Sequence, residues 1–258
     1  MMSVGVSETE ASSRSGILSN LPSNFAKNVL DQLSRVEYRR AEVGEDIEAM
    51  HRLRYRSYLA SGMVPANPRG TVTDRFDNLP NAMTFGVYLD GELASTIRLH
   101  HVTAKTPGSP SAAVFADLLE HRIAAGETFV DPSRFAADPD ATAQFPYLPY
   151  LTLRLAAMAS IFFKADYCLS TVRPDHAPFY RRVFNARQVA PLRPFPDLNY
   201  EVVLYQAHCR TTEDGMMARY PFFKSTPAEQ RMMFGKPRAG EIAPLTILPT
   251  AHYYLQAA

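Results

Sequence analysis

The sequence predicts a mixed α/β domain, in which helices pack on a sheet of parallel and antiparallel strands. Residues 84–89 and 92–100 have strand patterns and are joined by Asp90-Gly91, a strong hairpin turn signal. Further along, a strand pattern, an amphipathic helix and a second strand pattern follow one another, and such a crossover makes its two strands parallel. A hairpin and a parallel crossover in one chain therefore indicate a mixed sheet with helices on it.

The hairpin is preceded by a helix, a strand and a second helix. Residues 25–33 are compatible with a short helix, and residues 36–43 have the pattern of a strand. Gly44-Glu45-Asp46 then opens a helix, with acidic side chains at the end where the helix dipole favours them. Apolar side chains recur at helical spacing, so we expect this helix to reach about residue 60. Residues 61–80 contain Gly, Pro and Asn and predict a loop.

The segment after the hairpin supplies the crossover. Its elements are, in order, a short helix at residues 112–121, strands at 128–136 and 165–172 on either side of a helix, a helix at 175–184 and a final strand at 200–207. The helix of the crossover is marked by Leu151, Leu155, Met158 and Phe162, which recur at helical spacing. Pro132 interrupts the first strand of the crossover, which indicates a sheet edge or a β-bulge.

Length and composition are those of one globular domain with extensions. The 258 residues are 46% hydrophobic and 21% charged, which is ample for a buried core. We expect a disordered, Ser-rich tail at residues 1–22, one domain at 23–208 and a C-terminal extension at 209–258. Neither G-x-G-x-x-G nor the P-loop pattern occurs, which excludes nucleotide binding of those two kinds.

The charge balance and the cysteines exclude several classes of protein. A formal net charge of +1 provides no general attraction to nucleic acid. Two cysteines without C-x-x-C spacing exclude a zinc ribbon or a disulfide scaffold and fit a reducing compartment. The N-terminus has no secretory signal and no apolar run reaches ~18 residues. We therefore expect a cytoplasmic protein with no integral membrane insertion.

Three clusters of charged residues stand in otherwise apolar settings. They are Arg52, Arg54 and Arg56 with Tyr58; Asp74-Arg75-Phe76-Asp77 with Arg98; and Asp131-Pro132-Ser133-Arg134-Phe135. Such clusters are either salt bridges that fix loops to the sheet or the charged wall of a cleft. A bulge at Pro132 would bring Asp131 and Arg134 to one face, where a carboxylate and a guanidinium pair well. The histidines form no metal-ligand pattern, so we expect no metal site.

Four short runs and a longer one carry a family resemblance. LRYRSY, DRFD, STIRL and FVDPSRFA occur in this order and resemble the acyl-homoserine-lactone (autoinducer) synthases. They resemble more closely the relatives of that family, the FeeM-type N-acyl amino acid synthases. VRPDHAPFYRRVF, followed by a final strand, is similar to the closing half of the latter. The likeness covers residues 36–207, and the ordered set is more specific than any one run.

This resemblance implies a GNAT-like acyl-CoA N-acyltransferase fold, an α/β (α+β) fold whose two parallel strands splay apart to admit a pantetheine arm. It implies an enzyme that joins a long-chain acyl group from acyl carrier protein to the amine of an amino acid. The acyl-phosphopantetheine donor is then a substrate, and no further cofactor is expected.

The chain also departs from the patterns that it resembles. It has no Trp and reads Val-Asp where autoinducer synthases carry Trp-Glu, which argues against a homoserine-lactone product. The glycine loop by which many acetyltransferases cradle the coenzyme A pyrophosphate is missing after Phe135. Its absence favours a carrier-protein donor over free acyl-CoA.

Amide formation from a thioester, the reaction that the resemblance implies, suggests roles for individual residues. The catalytic candidates are Asp131, accepting the amine proton directly or through a water, Arg134, and Tyr180 as general acid for the thiol. The expected substrate-binding residues are Arg54, Tyr58, Asp74, Asp77, Arg98 and Ser133. The arginines expected to dock an acidic carrier protein are Arg173, Arg181, Arg182 and Arg187. Two alternatives stay open, because Tyr180 can simply pack against Phe179 and arginines commonly cover a solvated helix face.

Three other functions remain open from the sequence. The chain can be an acyl-homoserine-lactone synthase, an acyltransferase of the kind that acylates ornithine for a membrane lipid, or a non-catalytic protein that binds an acyl carrier. Product identity separates the first two from an N-acyl amino acid synthase. Binding without turnover identifies the third.

Overall fold

The structure is a computed structural model that describes residues 23–42, 44–196, 198–236 and 246–253. The predicted disordered tail at residues 1–22 lies outside these residues. Within them, seven strands form one sheet in the order β1-β2-β3-β4-β5-β7-β6. The strands are β1 Val36–Arg40, β2 Ala82–Leu89, β3 Glu92–Val102, β4 Phe129–Ala137, β5 Tyr167–Val172, β6 Arg187–Pro194 and β7 Glu201–His208.

Helices flank this sheet. Those in the described part of the chain are α1 Asn24–Leu33, α2 Gly44–Ala60, α3 Pro110–Val114, α4 Ala116–Ala124, α5 Pro139–Gln144, α6 Leu148–Phe162, α7 Ala177–Phe184, α8 Cys209–Arg219 and α9 Pro227–Phe234. Two 3-10 turns, Pro174–His176 and Pro221–Phe223, precede α7 and α9. No helix among the described residues combines the length and the apolar character that crossing a membrane requires.

The mixed character of the sheet, predicted from the hairpin and the crossover, is confirmed. β2 and β3 are antiparallel and meet at Asp90 and Gly91, whose φ angles of 51° and 87° match a two-residue type I′ turn. β4 and β5 are parallel and are joined through α6. The other neighbouring strands pair antiparallel.

The parallel strands β4 and β5 separate soon after they begin. They pair at Phe129 with Tyr167 and at Val130 with Cys168, and then part. β4 continues to pair with β3 on its other side, so its edge facing β5 is left open. Pro132 has no N–H to donate, and it stands directly beyond the point of separation. The splayed strands expected from the family resemblance are therefore present.

A β-bulge follows in β4. Arg98 pairs with Ser133 and Thr96 with Ala136, so two residues of β4 stand opposite Ile97 alone. The first of these two, Arg134, has a φ of 52°, which lies in the left-handed region of backbone conformation. Residues other than glycine seldom adopt this region. The irregularity expected at Pro132 is thus centred two residues later.

Three elements differ from the sequence prediction. β6 is an edge strand with mostly exposed side chains and two prolines, so it lacks the alternating apolar pattern that would reveal it. The helix predicted at 112–121 is two helices, because the backbone leaves helical geometry at Phe115. The helix predicted at 175–184 begins as a 3-10 turn and becomes α-helical at Ala177.

The segment after β7 packs on the same core as the sheet. Phe222, Phe223, Phe234 and Ile247 are buried together with α6, which is itself almost wholly buried. Ile247 also exchanges both backbone hydrogen bonds with Tyr38 in β1, at 2.9 Å each. The described part of the predicted C-terminal extension therefore completes the hydrophobic core.

Candidate active site

The point at which β4 and β5 separate opens into a cleft of about 760 Å³. Its walls come from α2, β4, α6, β5 and α7, so distant parts of the sequence meet there. Five residues of the sequence prediction line it: Tyr58, Ser133, Arg134, Arg173 and Tyr180. Thr171, which was not predicted, lines it as well. The cleft occupies the place where the open edge of β4 exposes unpaired backbone groups.

Arg134 is a buried cation on the cleft wall. Its Nε and Nη2 donate to Asp74 Oδ2 at 2.7 and 2.6 Å. Its guanidinium carbon lies 6.0 Å from the ring centre of Tyr58 and 5.9 Å from that of Phe195. Its Nη1 is buried and has no hydrogen-bond partner among the described residues. One edge of the guanidinium is therefore held by Asp74, and Nη1 is left without a partner among the described residues.

Behind Arg134 lies a network of buried charges. Arg98 donates from Nη1 to Asp74 Oδ1 at 2.6 Å and to Asp77 Oδ1 at 2.7 Å. Its Nε donates to Ser133 Oγ at 3.1 Å, and Arg54 Nη1 donates to Asp77 Oδ1 at 2.7 Å. Three guanidinium groups thus share two carboxylates. This arrangement leaves the network cationic.

The network keeps its aspartates ionised. Burial alone would raise the pKa of Asp74, but hydrogen bonds and charge from Arg98 and Arg134 outweigh it and hold that pKa well below its usual range. The pKa of Asp77 is lowered too, since Arg54 and Arg98 outweigh its burial. The carboxylates therefore keep Arg134 fixed in orientation at any physiological pH.

Fewer of the predicted substrate-binding residues line the cleft than the sequence suggested. Arg134, Ser133 and Tyr58 reach the cleft, whereas four of the expected substrate-binding residues stand behind them. These four are Arg54, Asp74, Asp77 and Arg98. Their pairing with one another holds Arg134 and Ser133 in place, so they support the wall instead of forming it.

Asp131 does not form the expected ion pair with Arg134. The bulge lies after Asp131 and turns Arg134 towards the loop that carries Asp74. Asp131 is fully buried, and its two oxygens accept from the N–H and the Oγ–H of Ser111 at 2.9 and 2.6 Å. Ser111 Oγ lies in turn 2.6 Å from Thr171 Oγ1 on the cleft wall.

Tyr180 lies where the cleft meets a second, apolar pocket. Burial raises the pKa of its phenol, so the hydroxyl stays protonated and can donate to a sulfur or oxygen of a ligand. Its ring also packs 5.4 Å from Phe179 and 6.1 Å from Phe184, measured between ring centres. The position of Tyr180 is therefore compatible with both alternatives, a general acid for the thiol and a packed aromatic side chain.

The apolar pocket continues the cleft into the protein. The two share Pro132, Leu153, Ser170 and Tyr180. Its further walls are Ala156 and Ala157 of α6, Phe184 of α7 and Met216 of α8. Cys168 and Cys209 also line it, and burial raises the pKa of both thiols, that of Cys209 to about 11. These cysteines are protonated wall residues of a mostly apolar pocket of about 50 Å³.

The arginines expected to dock a carrier lie on and beside α7. Arg181 and Arg182 are exposed on this helix, and Arg187 is exposed at the start of β6. Arg173 lines the cleft and pairs with Asp175. Three of the four are thus accessible, and Arg173 is partly neutralised.

The sequence did not point to Ser111 or Thr171 as site residues. Neither lies in a charged cluster. The contact of Ser111 with Asp131 spans 20 residues of chain, and its contact with Thr171 spans 60. Burial lowers the pKa of His100, and its Nε2 contacts the Phe76 carbonyl. His176 lines the cleft. Among the described residues, no group of three or more His, Cys, Asp or Glu is placed to hold a metal ion.

Comparison with known proteins agrees with this geometry. The family model of the N-acyl amino acid synthase FeeM matches residues 49–208, which is more than half of the chain. The structure of FeeM, an N-acyl amino acid synthase from uncultured soil microbes, superposes with a TM-score of 0.60 at 19% identity, over 72% of this chain and 97% of that one. No curated protein sequence gives a significant match.

Two further solved structures share the fold. The acyl-homoserine-lactone synthase LasI has a TM-score of 0.52 at 15% identity, over 72% of this chain and 93% of its own. TofI, solved in a ternary complex with an inhibitor and MTA, has a TM-score of 0.53 at 18% identity, over 72% and 96%. The mixed sheet, the splayed parallel strands and the family match together establish a GNAT-like acyltransferase. The chain belongs to the FeeM family of N-acyl amino acid synthases and is an N-acyltransferase.

Proposed function

We propose that this N-acyltransferase joins an acyl group, carried as a thioester by acyl carrier protein, to the amine of an amino acid. The observation that carries the proposal is the guanidinium of Arg134 on the cleft wall, with Nη1 free of any partner among the described residues. The structure of FeeM, which this chain resembles in fold, is that of an N-acyl amino acid synthase. A cytoplasmic location, where a carrier protein would be met, is part of the proposal.

The free end of Arg134 supports an acceptor that carries a carboxylate. A guanidinium binds a carboxylate through charge-assisted hydrogen bonds of defined direction. The opposite edge of the same guanidinium is fixed by Asp74, so little conformational freedom is lost when a ligand binds. An amino acid held in this way would place its amine within the cleft.

The open edge of β4 and the apolar pocket support a thioester donor. The amides of a pantetheine arm can pair with the free backbone groups of a strand edge, as an added strand does. The acyl chain would then extend past Tyr180 into the apolar pocket, and the thioester carbonyl would lie near the backbone of β4. Backbone N–H groups directed at that carbonyl stabilise the oxyanion formed when the amine attacks.

The acceptor is tested with purified protein, an acyl donor and a panel of amines. We expect mass spectrometry to show N-acyl amino acids, and kcat/KM to be at least tenfold higher for an amino acid than for its amide. The reason is that a hydrogen bond to a charged group contributes about 1.5–3 kcal/mol, whereas the amide of the amino acid is neutral. Acyl-homoserine lactones as the product, or no acylated amine at all, would overturn the proposal.

Arg134→Gly is the matched variant for this test. Glycine adopts a φ of 52° without strain, so the bulge is kept while the guanidinium is removed. The preference for the amino acid over its amide should fall to about one. A preference that survives in this variant would remove Arg134 as the carboxylate site.

The donor is tested by reversing charge on α7. Carrier proteins are acidic, and attraction between exposed charges is screened beyond ~10 Å at 0.1 M salt. In Arg181→Glu/Arg182→Glu we expect at least a tenfold higher KM for an acyl-carrier-protein donor at low salt. The reaction with an acyl-CoA donor should change less than twofold. Initial rates with both donors, in low and moderate salt, measure this.

The control for the charge reversal is Arg231→Glu/Lys236→Glu. Both residues are exposed. Arg231 lies in the last turn of α9 and Lys236 two residues beyond it, and the net change in charge is the same. This control should leave both donors unaffected. If wild type uses both donors equally, or if the α7 variant behaves like the control, the carrier donor and this docking surface are both wrong.

A further inference from the structure

A line of three hydrogen-bonded side chains, Thr171, Ser111 and Asp131, leads from the cleft into the interior. Thr171 stands on the cleft wall in β5, Ser111 is buried at the start of α3, and Asp131 is buried in β4. The two hydroxyl oxygens lie 2.6 Å apart, and Ser111 Oγ lies 2.6 Å from Asp131 Oδ1. Both distances are at the short end of the range for O–H···O bonds.

The surrounding structure fixes each member of this line. Ser111 also donates its backbone N–H to Asp131 Oδ2 at 2.9 Å. Ser109 is the N-cap of α3, the helix that contains Ser111, and its side chain accepts from the N–H of Ala112. Thr171 is paired with Leu204 in the ladder between β5 and β7. Asp131 is paired with His100 in the ladder between β3 and β4. The line is therefore assembled from three rigid elements.

The donor direction along the line follows from the number of hydrogens. An ionised carboxylate only accepts, so Ser111 uses its one hydroxyl hydrogen on Asp131. Ser111 Oγ can then only accept from Thr171, which uses its own hydrogen in turn. The oxygen of Thr171 is left with lone pairs and no hydrogen of its own for the cleft. A ligand there meets a hydrogen-bond acceptor polarised by a buried negative charge.

No cation among the described residues forms an ion pair with Asp131. The neighbouring His100 is kept neutral by burial, which lowers the pKa of that imidazole, and its Nε2 is occupied with the Phe76 carbonyl. Arg98, two residues from His100 in β3, is committed to Asp74 and Asp77. The hydroxyl line is thus the hydrogen-bonded connection from this carboxylate to the cleft.

We propose that Thr171 and Ser111 relay the amine proton from the cleft to Asp131. The proposal rests on the proposed function, because it assigns the base for that reaction. The lone pair of the neutral amine forms the C–N bond at the thioester carbonyl. The nitrogen, positively charged in this intermediate, gives one proton to Thr171 Oγ1, while the hydrogen of Thr171 passes to Ser111 Oγ and that of Ser111 passes to the carboxylate.

The remaining steps balance the reaction. The C–S bond breaks and the thiolate leaves with the electron pair of that bond. Asp131, protonated through the relay, returns its proton along the same line to the thiolate. The net change is thioester plus amine to amide plus thiol, with every relay group restored. Thr171 is the one member of the line that touches the substrate.

The test removes the hydroxyl of Thr171 without changing its shape. Thr171→Val should lower kcat by about 100-fold, the lower range for loss of general base catalysis, with KM for the amino acid changed less than threefold. Thr171→Ser keeps the hydroxyl and should retain at least a third of wild-type kcat. Ser111→Ala breaks the line one step further in and should match Thr171→Val. Steady-state kinetics with saturating donor measure all three.

Thr96→Val is the matched control. Thr96 is a buried threonine of β3 whose Oγ1 has no partner among the described residues, so its loss removes a hydroxyl outside the line. It should keep wild-type kcat. Full kcat in Thr171→Val, or a loss in Thr171→Ser as large as that in Thr171→Val, would overturn the relay alone. A wild-type enzyme that acylates no amine would overturn the proposed function and the relay with it.

Discussion

Glu229→Ala should lower the free energy of unfolding by about 3–5 kcal/mol, the cost of leaving a buried partner charge uncompensated. Glu229 and Arg154 are both fully buried and pair through both carboxylate oxygens. Glu229 also accepts from the N–H and Oγ–H of Thr250 at 3.0 and 2.5 Å. Removing the carboxylate therefore leaves the buried guanidinium of Arg154 without its counter-charge and removes the two hydrogen bonds to Thr250.

Chemical denaturation and the Tm measure this effect. A loss of that size corresponds to a Tm lower by about 10 °C for a chain of this length. Glu229→Gln should cost less, since its carbonyl oxygen can still accept from Arg154. Glu48→Ala is the control, because it removes the partner of Arg52 from an exposed pair on α2. Such pairs contribute only about 0.3–0.5 kcal/mol. Equal stability of Glu229→Ala and Glu48→Ala would mean that the buried pair does not anchor the C-terminal segment.

The physical reason for a large effect is the position of Arg154. It donates from Nε to the Phe222 carbonyl at 2.8 Å and from Nη2 to the Lys224 carbonyl at 2.6 Å. The guanidinium thus ties α6 of the crossover to the turn before α9. Because Phe222 and Phe223 belong to the main core, loosening this tie exposes apolar surface as well as charge.

Asp131→Asn should lower kcat by at least 100-fold while leaving the fold intact. Asparagine has nearly the same shape, but its NH₂ group donates where the carboxylate accepted. If that group faces Ser111 Oγ, Ser111 donates to Thr171, and Thr171 directs its hydrogen into the cleft. The acceptor that the amine needs has then become a donor. General base catalysis contributes about 10²–10⁴-fold, which sets the size of the loss.

Steady-state kinetics and a Tm measurement on the same preparation test this prediction. KM for the amino acid should change little, because Arg134 and not Asp131 faces the acceptor's carboxylate in the proposed complex. The matched control is Asp166→Asn, since Asp166 Oδ2 accepts from the N–H and Oγ–H of Thr128 at 3.0 and 2.9 Å, away from the cleft. A variant at Asp131 that unfolds more easily yet keeps its kcat would show that the residue is structural.

Much of the fold was predictable because its signals are local. The type I′ turn at Asp90-Gly91 depends on two residues, and the helix of the crossover depends on apolar side chains one turn apart. Helix α2 begins at Gly44, as its acidic first turn predicts. β6 was not predictable in this way, because an exposed edge strand buries too few side chains to show alternation.

The sequence predicted which charged residues belong to the site but not which of them pair with one another. The sequence indicates that Arg54, Asp74, Asp77, Arg98 and Arg134 belong together, and the structure joins them in one network. It does not indicate that Arg134 pairs with Asp74 and not with Asp131. That choice depends on the bulge, whose left-handed residue turns the guanidinium away from its nearest acid in sequence.

The sequence by itself determined the hairpin, the crossover, the mixed sheet and the family, since each depends on residue types at short, ordered spacings. Only the tertiary structure decided which charged group faces the cleft, how Asp131 is connected to it and where the C-terminal segment packs. These depend on contacts such as Ser111 with Thr171 across 60 residues and Arg154 with Glu229 across 75. A hydrogen bond requires its two atoms to meet within about 3 Å, and only the packed chain determines which distant atoms do so.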